Sequence, residues 1–193
     1  MVTHMKYSFC TYFFIMSLIV TITAAAQIPP ESQDFPAITW CQNSPKTKPA
    51  GSDYFVWIQE EAAKHNAKAE FCLSLLPKDL TTTPPEVWLI RAAEHGLPEA
   101  QLLYAAGLEV GKWGESDIQK ALHWYAEAGK NGFGLAQIEL AGIFFEGRMG
   151  LAPNLEAAKY WIDQPGAKGH PASAQLRSAI QQQWARVHPS STH

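Results

Sequence analysis

Cysteine is scarce: the chain of 193 residues has three, and Cys10 lies in an apolar stretch at the amino terminus. There is no C-x-x-C and no repeated cysteine spacing, so neither a redox motif nor a zinc ribbon is indicated. Basic runs are missing too. The 15 Lys and Arg are dispersed and outnumbered by 18 Asp and Glu, which argues against nucleic acid or an anionic lipid surface as the main partner. Catalytic motifs are also lacking. We find no G-x-S-x-G, S-x-x-K or H-E-x-x-H, and no glycine loop of the phosphate-cradling kind. His65, His95, His123 and His170 stand far apart in sequence, so no metal-ligating set and no cofactor is expected. Glu60 and Glu61 read as a solvated face, because adjacent helical residues do not point at each other.

Long apolar runs are confined to the first 26 residues. Lys6 precedes a nearly unbroken apolar segment over 7–22, and Ala24-Ala25-Ala26 offers small residues for cleavage before Gln27. This pattern predicts a signal peptide over 1–26, with an uncleaved anchor as the alternative. The apolar run is short against the about 20 residues of a spanning helix. Cleavage leaves 167 residues with 14 basic and 18 acidic side chains, a periplasmic or secreted protein with no further membrane contact. Cys41 and Cys72 then remain, and an even count in an oxidising compartment favours one disulfide over two separate thiols.

What is abundant is periodic. Trp88 to Gly96 reads WLIRAAEHG, Trp124 to Gly132 reads WYAEAGKNG, and Trp161 to Gly169 reads WIDQPGAKG. Ala100-Gln101 and Ala136-Gln137 follow four places after their glycines, and Ala174-Gln175 follows one place later. Self-similarity at 30–40 residues marks stacked helix pairs that cannot bury their apolar faces alone. Five prolines over 27–51 predict an irregular lead-in tethered by its cysteine. Helices are expected from Ser52, its N-cap, to Asn66, then near 67–76, 86–95, 98–110, 117–130, 134–146, 154–164 and 171–186. The repeat domain spans 52–187, and a disordered tail covers 188–193. The tryptophans read as packing between helices, and Gly96, Gly132 and Gly169 as helix stops with positive φ.

The order of Ala-Gln start, glycine-bearing loop (Gly111 and Gly114, then Gly147 and Gly150) and Trp-to-Gly segment resembles the Sel1-like repeat, a tetratricopeptide-related helix pair. The resemblance covers about 88–180, with a degraded unit from about 52. Pro165 departs from it and should shorten or kink its helix. The resemblance implies an all-α, right-handed solenoid that acts as a non-enzymatic adaptor for another envelope or secreted protein. It leaves two alternatives: a β-lactamase-like or other envelope hydrolase, or a structural accessory of an envelope machine such as the flagellar motor. The Cys-rich exported relatives described as β-lactamase-like carry a Cys pair in each repeat, and the repeats from Trp88 onward carry none. Residues off the apolar stripe of the first helix in each pair are the candidate partner-binding set: Gln101, Tyr104, Glu109, Gln137 and Glu139. Loop residues Lys112, Trp113 and Arg148 extend it.

Overall fold

The computed structural model describes residues 35–47 and 53–189. The expected signal peptide, the start and end of the lead-in, Ser52 and most of the expected tail lie outside the described residues. Among the described residues ten α-helices run in order: α1 (Pro36–Thr47), α2 (Tyr54–Ala63), α3 (Ala67–Ser74), α4 (Pro85–Glu94), α5 (Pro98–Glu109), α6 (Ile118–Lys130), α7 (Gly134–Glu146), α8 (Leu155–Ile162), α9 (Pro165–Gly169) and α10 (Ala174–Val187). Short 3-10 turns occupy Lys78–Leu80 and Pro171–Ser173. From α2 to α8 each helix packs mainly on its neighbours in sequence, as a linear stack requires.

Local chemistry fixes the boundaries. Asp53, Asn66, Asp117 and Asn154 cap α2, α3, α6 and α8, each accepting hydrogen bonds from first-turn backbone N–H groups. Pro85 and Pro98 open α4 and α5, where a missing N–H costs nothing. Gly96 and Gly132 end α4 and α6 at φ 83° and 82°. His65 takes that left-handed position after α2, at φ 62°, one residue before the expected Asn66. The hydrogen bonds around the three are the same: His65, Gly96 and Gly132 each donate three residues back, and the next residue donates five back. Gly169 does not follow the pattern. Pro165 ends α8 early and starts α9, and the chain leaves α9 through His170 at φ −87°.

The described part of the lead-in, residues 35–47, is helical where an irregular segment was expected. Residues 36–47 form α1, which tolerates Pro36 in its first turn and carries Pro45 near its end. Its N-terminus is held by Glu99, whose Oε1 accepts from the Ala37 N–H at 3.0 Å. Phe35 is buried and meets the Phe133 ring edge-on at 5.8 Å between centroids. Cys41 of α1 is bonded to Cys72 of α3. The segment therefore lies along the array, reaching from α3 to the start of α7.

The core is a row of alanines and branched residues. Ala92, Ala93, Ala100, Ala105, Ala121, Ala128, Ala136 and Ala141 have no exposed surface, so neighbouring helices approach closely. The repeated tryptophans are half-buried at the seams: Trp88 packs with Ile58 and Leu73, and Trp161 bridges the central and C-terminal clusters. Replacing Cys41 by Ser opens a bridge between residues 31 apart in sequence. In the chain-entropy account this lowers stability by about 3–4 kcal/mol. Thermal melting under non-reducing conditions should show that loss with helix content unchanged. An unshifted melting curve would show that the bridge does not form.

Candidate functional site

The repeated glutamines are internal. Gln101 and Gln137 are buried, and each donates from Nε2 to the carbonyl eight residues back: Ala93 at 3.1 Å and Gly129 at 2.8 Å. Each accepts at Oε1 from a group thirty residues on: Asn131 Nδ2 at 3.3 Å and the Ala167 N–H at 2.8 Å. One side-chain amide thus adds a second donor to a carbonyl that already accepts from Gly96 or Gly132, and accepts from a donor in the next unit. That accounts for the Ala-Gln pair and removes both residues from the docking surface. Ala174 and Gln175 are exposed and make no such clamp; Arg177 donates to the Ala167 carbonyl at 2.8 Å.

Tyr104 is also buried, against the Trp113 and Trp124 rings at 5.3 and 5.7 Å. Trp113 folds back from its loop onto α5 and fills the space over Gly107, where a Cβ would lie 2.1 Å from the indole. Lys112 sits over the outer indole face at 5.3 Å. Three of the expected contact residues, Gln101, Tyr104 and Gln137, are therefore packing residues, and Trp113 is half-buried.

The charged candidates do come together. Glu109 ends α5, Glu139 lies on α7, and Arg148 follows the left-handed cap Gly147. The Arg148 guanidinium pairs with the Glu139 carboxylate and stands 3.5 Å from Glu109 Oε1. Tyr125 of α6 donates its hydroxyl proton to Glu109 Oε2 at 2.9 Å. Side-chain exposure of 17% for Arg148, 19% for Glu109 and 13% for Glu139 leaves the cluster reachable from one side only. Glu146 adds a third carboxylate against one guanidinium. Burial pushes the Glu109 and Glu146 carboxyls above their ordinary range, although Arg148 pulls both down. Burial works against the Arg148 charge, but the surrounding carboxylates outweigh it and raise its pKa. Burial, with the Glu139 and Glu109 charges, pushes the Tyr125 phenol well up. Beside the cluster, Val110 is 52% exposed.

A second constellation was not anticipated. His65, Glu70 and His95 bring ligand-type atoms within 4.8 Å of one another. Separation in sequence misled because the repeat period brings the ends of α2 and α4 together. A signal was available. Eight residues after Trp57 stands His65, four more give Ala69, and Glu70 follows, which is the Trp-to-Gly and Ala-Gln spacing with different residues.

No protein-family model matches the sequence, and no curated protein matches it. Among solved structures, a Sel1 repeat protein from Oxalobacter formigenes superposes with a TM-score of 0.55 and 26% identity over 66% of this chain and 97% of its own. The protective antigen c5321 of uropathogenic Escherichia coli, which displays an SLR fold, gives 0.56 and 22% identity over 86% of this chain. The match spans 33% of that longer chain and bears on fold alone.

The cluster predicts a pH dependence. A carboxylate held above its ordinary value binds its proton more readily folded than unfolded. Its contribution to stability is present at low pH and lost as pH rises through the folded pKa. The melting temperature of the wild type relative to Glu146→Gln should therefore climb on acidification from about pH 7 toward about pH 5. A difference that does not vary over that interval would contradict the raised Glu146 carboxyl.

Proposed function

The chain folds as a Sel1-like repeat protein, and on that premise we propose that it is an exported, non-enzymatic adaptor for another envelope or secreted protein. The contact is the end of the α5 and α7 row, where Glu109, Glu139 and Glu146 outnumber Arg148 and Val110 stands exposed beside them. That charge excess carries the reading. Half-buried carboxylates short of cations are an unfavourable arrangement in the free protein. A partner that brings a lysine or arginine to the open side relieves it. The cluster holds an arginine, a tyrosine and carboxylates, with no nucleophile–base pair among them. Export is supported by the apolar leader, which lies outside the described residues, and by the Cys41–Cys72 bond. No helix among the described residues is long and apolar enough to cross a membrane.

The test is cross-linking in the native cell from a photoreactive residue at Val110. Tyr160, 59% exposed on α8, serves as the reference position. The expected result is one protein captured at Val110, absent at Tyr160 and lost when Glu109→Gln and Glu146→Gln are combined. Equal capture at both positions, or capture indifferent to the carboxylates, would remove this face from the account.

A further inference from the structure

We propose that His65, Glu70 and His95 form a binding site for a divalent transition-metal ion of the zinc type at the interface between the first two repeat units. The site lies apart from the acidic cluster and stands whether or not that cluster docks a partner.

The geometry is that of a nearly assembled N2O donor set. Glu70 is 1% exposed on α3, and its Oε2 lies 2.6 Å from His95 Nδ1. The His65 ring stands edge-on to the His95 ring at 4.8 Å between centroids. All three residues present a ligand atom within 4.8 Å of the others. Two ligands about 2.0–2.1 Å from a tetrahedral ion stand about 3.3 Å apart. Loading therefore asks His95 and Glu70 to part by less than an ångström and the His65 ring to close in. For Nδ1 of His95 to ligate, the proton in its hydrogen bond to Glu70 moves to His95 Nε2 or to solvent. Imidazole and carboxylate donors suit zinc, and both histidines are exposed, so a fourth position is open to water or to a partner's side chain.

The repeat itself supplies an independent argument. Glu70 occupies the place of Gln101 and Gln137, directly after the fully buried alanines Ala69, Ala100 and Ala136. His95 occupies the place of Asn131, and the Glu70–His95 contact is the counterpart of the bond from Asn131 to Gln101. His65 occupies the place of Gly96 and Gly132, in a left-handed conformation that a β-carbon disfavours. Packing is served by a neutral amide clamp and a glycine in the later units. At this one interface all three positions hold residues that bind metals, one of them against the preference of its backbone. Glutamate and histidine are also poor substitutes for the neutral clamp, since a buried carboxylate demands a cation.

The experiment uses the full exported chain without a histidine tag. Titration calorimetry with ZnCl2 and thermal melting with and without zinc are run near pH 7.5 and repeated near pH 5.5. The wild type should bind one zinc ion per chain and melt higher with it. Binding should weaken at the lower pH, because the imidazoles must be neutral to ligate. His65→Gly restores the residue of the other units, so it keeps the fold while weakening binding by at least about tenfold. His123→Gln combined with His170→Gln should bind as the wild type does. No zinc binding by the folded wild type, or binding untouched by His65→Gly, would overturn the proposal.

Discussion

The stack depends on a buried polar side chain at three successive junctions, Glu70, Gln101 and Gln137, each directly after a fully buried alanine. A helix end leaves carbonyls without intrahelical partners, and burying such an end against the next unit is tolerated only if donors reach it. The Gly96 and Gly132 N–H groups reach the Ala93 and Gly129 carbonyls, and Gln101 and Gln137 add a second donor to each from the following helix while accepting a bond from the unit beyond. Each bond contributes only about 1 kcal/mol net, but leaving its buried partner unsatisfied costs more. The amide therefore fixes register more than it adds stability. The alanine before each glutamine, with no exposed surface, is what lets the amide come close enough to bond.

That register decides where charge collects. With α5 and α7 both packed on α6, Glu109 and Glu139 fall within reach of one guanidinium, which the left-handed turn at Gly147 delivers from the loop. Tyr125 on α6 closes the inner side. The cluster is thus a product of the stacking and belongs to no single unit. In the same way the ends of α2 and α4 meet at His65 and His95, so the two chemically distinctive places on the molecule both lie at junctions.

Much of the fold was legible from spacing. Trp-to-Gly segments, Asx caps and loop glycines locate eight helices to within a few residues, because each is a local signal with a local cause. The rest was hidden for definable reasons. Five prolines masked α1, which is held by the Glu99 carboxylate and the Cys72 bond, both distant in sequence. Gln101, Tyr104 and Gln137 read as surface residues because they are polar or amphipathic. Their burial follows from a carbonyl eight residues back and from rings on a loop and on α6, which no helical periodicity reports. Glu109, Glu139 and Arg148 were identified by type, but only the folded chain shows that they meet. The unit from about residue 52 reads as degraded because the positions of glycine and glutamine are written there as His65 and Glu70.

The Glu70–His95 contact of the first junction stands where the next junction has Gln101–Asn131, and it serves the same packing role. The direct measurement is thermal melting, without added metal, of the double exchange Glu70→Gln with His95→Asn, which writes the later pair into the first junction. The account predicts a folded protein that melts at or above the wild-type temperature across neutral pH. A marked fall in melting temperature, with loss of helix content near α3 and α4, would show that the first junction is built on a different principle.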